Sequence, residues 1–362
     1  MKTTHRIFFA NAKRMDDIPS NSIGLVVTSP PYPMIEMWDE VFERQHSSVC
    51  KALIRKNGIQ SFENMHKVLD PVWAEVHRVL LPGGFACINI GDATRTVREH
   101  FALYPNHMRI LKTAVELGFT VLPCILWRKQ TNAPNKFMGS GMLPAGAYVT
   151  LEHEYILVLR KGGKRIFRRQ SEKENRHESA LFWEERNRWF SDVWFDVKGT
   201  PQALNDKDAR KRSGAFPFAL AYRLINMYSV KHDTVLDPFL GTGTTTAAAA
   251  AAGRSSIGYE IDTAFKTLVA GIGDVVVDVS RRVITRRLSA HMDFVAARRE
   301  AGGSFKHCNR HYGFPVITAQ EKNLLLNDPL QVEVRDGRTF AVVYSRRPQP
   351  EFCNHPDESA GA

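Results

Sequence analysis

Short apolar runs alternate with amphipathic stretches along most of the chain. Seven runs have the length of strands, and they lie at 7–10, 23–27, 85–90, 121–127, 155–160, 235–236 and 257–260. Four further stretches are predicted helices, at 62–81, 108–117, 218–228 and 246–252. Because strands alternate with helices, the pattern predicts an α/β domain with a mostly parallel sheet and helices on both faces.

Three segments interrupt this alternation. Residues 129–147 are rich in Gly, Pro and Asn, and we expect a mobile loop near the active edge of the sheet. From Arg160 to Arg188 ten Arg or Lys stand against five Glu, and beyond about residue 275 the pattern becomes basic and rich in strands. The tail after Pro348 is predicted to be disordered.

The composition adds a basic charge to this picture. The 362 residues include 49 Lys and Arg against 38 Asp and Glu, a net charge of +11, which suits a polyanionic partner unless the surface is merely basic. No apolar run reaches the length of a membrane span, and the four apolar residues near the N-terminus are too few to predict a signal peptide. Five cysteines without a CxxC pair favour reduced thiols in a cytoplasm, with neither disulfides nor a metal site.

A proline-rich loop follows the second predicted strand. It runs Ser29-Pro30-Pro31-Tyr32, directly after Thr28. The Ser29 hydroxyl and the Pro30 carbonyl are adjacent acceptors that can hold the two hydrogens of an exocyclic amine, and the prolines prevent the loop from relaxing. Tyr32 offers a flat face on which an extruded base can stack. The loop suits methyl transfer to a base amine, and a polyproline-type turn is its structural alternative.

A glycine-rich loop follows the strand at 235–236. Asp237 opens this loop, and Gly241 and Gly243 allow the backbone to approach a ligand closely at the start of a helix. It is not a phosphate-binding P-loop, because no Lys follows the second glycine. Glu260 ends the next strand, where a carboxylate can accept both hydroxyls of a ribose. This layout is typical of an adenosine cofactor site.

Together, and in this order, the two loops resemble the beta-class amino-methyltransferases of DNA. The turn Leu81-Pro82-Gly83-Gly84 and the block from Glu152 to Leu157 agree with the same family. The resemblance covers residues 5–160 and 190–270. It implies a Rossmann-like, mostly parallel seven-stranded methyltransferase sheet with an antiparallel hairpin, plus a basic DNA-recognition region.

The resemblance also implies the site and its cofactor, S-adenosylmethionine. Its catalytic residues would be Ser29, Pro30, Pro31 and Tyr32. The methionine part of the cofactor would be held by Asp237, Pro238, Phe239, Gly241, Gly243, Thr244 and Thr245, its ribose by Glu260, and its carboxylate end would lie near Phe216 and Pro217. The family usually carries an Asp that contacts the adenine amino group, and in this chain the amide oxygen of Asn11 takes that place.

The implied reaction is transfer of a methyl group to the N4 amine of cytosine in duplex DNA, after base flipping. The Ser form of the loop, preceded by Thr28, resembles the cytosine-N4 subgroup. Adenine N6 is the alternative target, and RNA or a protein amide is the alternative substrate. A binding module without catalysis is the alternative of another class, and the intact loops argue against it. Further partners to test are a cognate restriction endonuclease and a second copy of the chain in a homodimer. The expected location is the cytoplasm, in association with the nucleoid.

Two basic segments are the predicted readers of DNA sequence. Residues 161–200 form an insertion between two halves of one catalytic domain, 1–160 and 201–274, and residues 275–347 form a C-terminal region before the tail 348–362. The near-helical spacing of Arg281, Arg282, Arg286 and Arg287 could align these side chains along one phosphate track. A solvated helix face is the alternative.

Two motifs suggest chemistry that we do not favour, and the role of a third pair of residues is left open. Pro123-Cys124 resembles the nucleophile of enzymes that methylate cytosine at carbon five, but a structural cysteine within a strand is the better interpretation. Ser29 and His153 lack the glycine context of a hydrolase nucleophile. Trp38 and Asp39 either line the base pocket or begin a helix.

Overall fold

The computed structural model describes residues 1–129, 138–198 and 216–353. The strands of these residues are β1 (Lys2–Phe8), β2 (Ile23–Thr28), β3 (Leu80–Ile90), β4 (Ala93–Val97), β5 (His100–Tyr104), β6 (Phe119–Arg128), β7 (Met138–Gly139), β8 (Ala147–Tyr148), β9 (His153–Lys161), β10 (Val193–Trp194), β11 (Thr234–Asp237), β12 (Ser255–Tyr259), β13 (His307–Cys308), β14 (Pro315–Val316), β15 (Pro329–Asp336) and β16 (Thr339–Tyr344). The helices are α1 (Asp39–Gln45), α2 (Ser47–Ile54), α3 (Gly58–Val79), α4 (Asn106–Glu116), α5 (Gln170–Glu178), α6 (Trp183–Trp189), α7 (Phe218–Tyr228), α8 (Thr244–Ala251), α9 (Lys266–Ala270) and α10 (Ile272–Glu300).

Ten of the described strands form one mixed sheet, in the order β10-β6-β9-β3-β2-β11-β12-β1-β16-β15. The neighbours from β3 to β1 are all parallel, whereas β9 and β16 run against them. The antiparallel pair β6 and β9 is the expected hairpin. The predicted count of seven strands is wrong, because β10 extends one edge and β16 and β15 extend the other.

The sheet is covered on both faces, as the alternation predicted. In β2 all six residues are buried, and successive side chains point to opposite faces. Val26 packs with residues of α3 and α4 on one face. Leu25 and Val27 pack with residues of α7 and α8 on the other. The predicted strands and helices are all present, with ends that differ by a few residues.

The C-terminal region differs from its predicted strand-rich character. It begins with the 29-residue helix α10, which packs against α8 and β15. Its last two strands, β15 and β16, join the main sheet next to β1. Ile284 and Leu288 of α10 share a core cluster with Phe182, which directly precedes α6. The basic insertion and the C-terminal region therefore pack together, and the predicted domain boundaries stay a prediction.

Parts of four predicted segments lie outside the described residues. They are 130–137 of the loop near the active edge, 199–200 of the basic insertion, 201–215 of the second catalytic half and 354–362 of the tail. The remainder of the loop contains the short pair β7 and β8, and the start of the tail contains a 3-10 helix at Pro350–Phe352. No helix in the described ranges is long and apolar enough to cross a membrane.

Candidate active site

One cavity lies at the carboxyl ends of the parallel strands, where α/β sheets bind their ligands. It has a volume of about 280 Å³. Of the predicted site residues, those that line it are Asn11, Ser29, Pro30, Pro31, Tyr32, Phe216, Asp237, Pro238, Phe239, Gly241, Thr244 and Glu260. Gly243, Thr245 and Pro217 lie beside the cavity without lining it. The proline loop and the glycine loop thus meet in one space, although they are about 200 residues apart in sequence.

Asp237 joins the two loops. Its Oδ1 accepts hydrogen bonds from the Thr28 hydroxyl at 2.6 Å and from the Phe239 N–H at 3.1 Å, and its Oδ2 accepts from the Thr245 hydroxyl at 2.6 Å. Burial raises the pKa of this carboxyl to about 6. Because a carboxylate has about four acceptor positions and three are used here, most of its capacity organises the loops.

The two glycines of the cofactor loop have different surroundings. Both have positive φ, +53° at Gly241 and +82° at Gly243. A Cβ atom added at Gly241 would meet nothing within 4 Å, so space for a ligand lies beside it. A Cβ atom added at Gly243 would lie 2.2 Å from Ile272 Cδ1. Gly241 therefore borders the cavity, whereas Gly243 permits the close packing of α10 against the loop.

Glu260 is held in a fixed orientation at the end of β12. Its Oε2 accepts from the Gly241 N–H and its Oε1 from the Asp262 N–H, both at 2.7 Å. Burial raises the pKa of this carboxyl, and the two N–H groups oppose that effect. Each oxygen keeps a lone pair that a pair of ligand hydroxyls could use.

The space beside Gly241 and the fixed Glu260 fit an adenosine cofactor. Phe239 and Tyr259 give the cavity an apolar side, and Asn11 lies at its rim. The Asn11 amide donates to Gln45 Oε1 at 3.2 Å, and its oxygen accepts from the Lys13 N–H at 3.0 Å. No group of three or more His, Cys, Asp or Glu within the described ranges could hold a metal ion.

A hydrogen-bond network surrounds Tyr32 in the proline loop. The Ser29 hydroxyl donates to Tyr32 Oη at 3.1 Å, and Tyr32 donates to Glu154 Oε2 at 2.9 Å. The Asn89 amide donates to both Tyr32 Oη and Glu154 Oε2, at 2.8 and 2.6 Å. Lys129 Nζ lies 2.9 Å from Glu154 Oε1. Burial and the Glu154 carboxylate raise the pKa of Tyr32 well above its usual range.

Sequence reasoning missed Glu154, Asn89 and Lys129 as site residues. Glu154 lies near the amino end of β9, which runs against its neighbours and so begins at the edge where they end. Asn89 is buried within β3, and Lys129 directly follows β6. The signal that could have identified Glu154 is the block from Glu152 to Leu157, in which it is an acid at the start of a strand.

The remaining motifs have the following places. Cys124 is half-buried within β6 and does not line the cavity, and neither does His153. Trp38 lines the cavity, whereas Asp39 begins α1 and accepts two hydrogen bonds from Arg95, at 2.9 and 2.7 Å.

The expected row of four arginines on α10 is not one surface. Arg281, Arg282 and Arg286 are exposed. Arg287 is buried, and its guanidinium donates to both oxygens of Glu185, at 2.6 and 2.7 Å. The prediction that Arg287 lies on a phosphate track is therefore wrong. Adjacent positions on a helix point in different directions, and Arg287 lies on the face that packs against the core.

Comparison with known proteins is consistent with this geometry. Residues 23–270 match the N6/N4 methyltransferase family model, described as DNA methylase. The type II methyltransferase M.MthZI of Methanothermobacter thermautotrophicus is 53% identical over 345 residues, which cover 95% of this chain and 96% of that protein. M.MjaI of Methanocaldococcus jannaschii, also a type II methyltransferase, is 48% identical over 278 residues, 74% of this chain and 90% of that protein.

Solved structures share the architecture. TTHA0409 from Thermus thermophilus, complexed with S-adenosyl-L-methionine, matches with a TM-score of 0.58 and 33% identity, over 75% of this chain and 96% of that chain. The PvuII DNA methyltransferase matches with a TM-score of 0.54 over 78% of this chain and 94% of that one. At 16% identity this second likeness shows the fold alone.

Proposed function

The chain belongs to the N6/N4 DNA methylase family, and from this premise we propose that it methylates the N4 amine of cytosine in duplex DNA. It is a DNA methyltransferase that uses S-adenosylmethionine. The observation that carries the proposal is the meeting of the two loops in one cavity, joined by the 2.6 Å hydrogen bond from Thr28 to Asp237. This bond fixes the base-holding residues relative to the cofactor loop, and such fixed proximity lowers the barrier to transfer.

The proline loop would hold and activate the amine. Ser29 donates its only hydroxyl hydrogen to Tyr32, so its lone pairs face outward as acceptors for an amine hydrogen. The Pro30 carbonyl would accept the second hydrogen. Two acceptors pull the nitrogen toward tetrahedral geometry and make its lone pair nucleophilic. S-Adenosylmethionine, when bound, supplies an electrophilic methyl group on its sulfonium.

The cofactor loop would hold the cofactor with backbone and carboxylate groups. Glu260 would accept the ribose hydroxyls, and the open space beside Gly241 would receive the methionine part. Asp237, with Pro238, Phe239, Gly243, Thr244 and Thr245, would shape that end, and Phe216 and Pro217 would lie near its carboxylate. Asn11 would meet the adenine.

The acceptor at position 29 supports cytosine as the target base. A serine after Thr28 resembles the cytosine-N4 subgroup, whereas Asp or Asn is more typical of adenine-N6 enzymes. Adenine N6 is the alternative, since both amines need the same two acceptors. The names of the two type II relatives support a cognate restriction endonuclease as a system partner. The basic insertion, 161–200, and the exposed arginines of α10 would contact the duplex.

Product analysis tests the proposal directly. Genomic DNA from cells that express the protein is digested to nucleosides and analysed by mass spectrometry, and the same DNA is sequenced with a modification-sensitive readout. We expect N4-methylcytosine within one short sequence. N6-Methyladenine would establish the alternative base, and carbon-five methylation would overturn the mechanism. A Ser29→Ala variant serves as the matched control for the host background.

A further inference from the structure

A chain of hydrogen bonds leads from the base-holding loop to a carboxylate. It passes from the Ser29 hydroxyl to Tyr32 Oη over 3.1 Å and from Tyr32 Oη to Glu154 Oε2 over 2.9 Å. Glu154 is mostly buried, with its side chain 12% exposed. The chain connects an atom at the proposed reaction centre with a group that can hold a proton.

Asn89 fixes the direction of this chain. Its Nδ2 donates to Tyr32 Oη and to Glu154 Oε2, at 2.8 and 2.6 Å. Tyr32 Oη already accepts from Asn89 and Ser29, so its own hydrogen must point at Glu154. Lys129 Nζ holds the other oxygen, Oε1, at 2.9 Å. Every hydroxyl hydrogen in the chain therefore points away from the substrate and toward Oε2.

Asp237 and Glu260, two other carboxylates of the cavity, have different partners. Asp237 uses its oxygens for the hydroxyls of Thr28 and Thr245 and for the Phe239 N–H. Glu260 binds two backbone N–H groups of the cofactor side. Only Glu154, among these three, is connected to Ser29 through a hydroxyl.

We propose that Ser29, Tyr32 and Glu154 form a proton relay that removes the amine proton as the methyl group is transferred. The inference rests on the proposed function, and it holds for cytosine and adenine alike. The nitrogen–carbon bond forms while the sulfur–carbon bond breaks. The nitrogen–hydrogen bond then breaks, and its electron pair stays on the nitrogen.

The proton is passed along the chain without net change in its hydroxyl groups. It goes to Ser29 Oγ, the hydroxyl hydrogen of Ser29 goes to Tyr32 Oη, and that of Tyr32 goes to Glu154 Oε2. Glu154 ends as a neutral carboxylic acid. Because the pKa of Tyr32 lies well above its usual range, the tyrosine exchanges protons without persisting as tyrosinate. Glu154 acts through Tyr32 and Ser29 and is a positioning residue, whereas Tyr32 also stacks on the base. The carboxylate strengthens Ser29 as an acceptor during transfer.

The test is single-turnover methyl transfer to duplex DNA with labelled S-adenosylmethionine. Glu154→Gln and Tyr32→Phe each break the relay with little change in shape, and Tyr32→Phe keeps the stacking face. We expect each to lower the single-turnover rate by a factor on the order of 100, with dissociation constants for DNA and cofactor near those of the wild type. The double variant should be no slower than the slower single variant, because one pathway is removed only once.

A pH profile separates the relay from a purely structural role. The wild-type rate should have an acid limb, because the relay needs an ionised acceptor at its end, and this limb should disappear in Glu154→Gln. Glu152→Gln is the matched control, since Glu152 lies two residues away and pairs with Arg128 at the surface. Its rate and pH profile should equal those of the wild type.

Two results would overturn the relay while leaving the function intact. One is a wild-type single-turnover rate in both Glu154→Gln and Tyr32→Phe. The other is an acid limb that persists unchanged in Glu154→Gln. Failure of the proposed function is distinguishable, because the wild-type protein itself would then leave DNA amines unmethylated.

Discussion

At the scale of single residues, Asp237 shows how one carboxylate can organise two loops. Its oxygens accept the hydroxyls of Thr28, beside the base-holding loop, and of Thr245, in the cofactor loop. Ionisation of a buried carboxyl is costly, and here only hydroxyls and one N–H offset it. The site therefore keeps a charge that opposes folding at neutral pH, next to the position of a cationic cofactor.

The cost of this charge should be visible in the pH dependence of stability. Burial raises the pKa of Asp237 from 3.8 to about 6. The folded state thus binds the proton more tightly than the unfolded state, and stability should fall as the pH rises between these values. The expected loss is about 3 kcal/mol by linkage. Asp237→Asn should lack this loss when the free energy of unfolding is measured at pH 4 and pH 7. Exposed Asp16→Asn is the control, and parallel curves for wild type and Asp237→Asn would contradict the prediction.

The glycines of the cofactor loop give a second prediction at this scale. Gly241→Ala adds a methyl group to open space beside the cavity, so S-adenosylmethionine affinity should fall by calorimetry, while the melting temperature should fall only by the strain of a positive φ. Gly243→Ala also places the methyl group against Ile272, so its melting temperature should fall further. The positive φ of both residues adds a similar strain to each variant, which makes them matched. Equal melting temperatures in the two variants would reject this assignment of roles.

At the scale of elements, strand direction decides which site residues a sequence can reveal. Asn11, Asp237 and Glu260 follow the carboxyl ends of parallel strands, where ligands are expected, and each was predicted to be in the site. Glu154 lies at the start of a strand that runs the other way. Its place depends on pairing between β3 and β9, which are distant in sequence. The two-residue strand β10 gave no periodic signal for the same reason, because only its pairing with β6 defines it.

Helix α10 shows a second limit of prediction from sequence. Its arginines share a spacing, but burial depends on what packs against the helix. Helix α6 meets it at Arg287 and again at His291, whose Nδ1 lies 2.8 Å from Glu184 Oε1. The contact at Arg287 is a bidentate ion pair between two buried side chains, with Tyr222 as a further partner of Arg287 at 3.1 Å. Spacing alone could not distinguish this arginine from the exposed Arg286.

Removal of the buried partner should destabilise the contact between α6 and α10. Arg287→Ala leaves the buried Glu185 carboxylate unpaired, and we expect a loss of about 3 to 5 kcal/mol in the free energy of unfolding by urea. Arg286→Ala, one residue earlier and exposed, should change it by less than about 0.5 kcal/mol. Similar unfolding curves for the two variants would show that the ion pair does not hold the two helices together.

At the scale of the whole molecule, not all of the 49 Lys and Arg are free to meet DNA. Arg254 is buried and donates to the carbonyls of Ala252 and Ser229. Arg287 is buried with Glu185, and Arg165 donates to both oxygens of Asp233, at 2.7 and 2.9 Å. Cations of this kind stabilise the fold, so the contribution to DNA affinity must come from the exposed remainder.

The exposed arginines of α10 belong to this remainder, and salt dependence can test them. The logarithm of DNA affinity should fall with the logarithm of salt by roughly 0.9 for each phosphate contacted. Arg282→Ala with Arg286→Ala should flatten that slope by a similar amount per lost contact.

A second pair, Arg346→Ala with Arg347→Ala, removes the same charge near α10, since Asp328 binds both Arg281 and the Ser345 N–H. An equal flattening by this second pair would show that loss of charge at this end of the sheet, rather than contact by α10, sets the slope. A slope unchanged by the α10 pair would exclude this helix from the interface, because each lost phosphate contact leaves its counterion on the DNA and so lowers the slope.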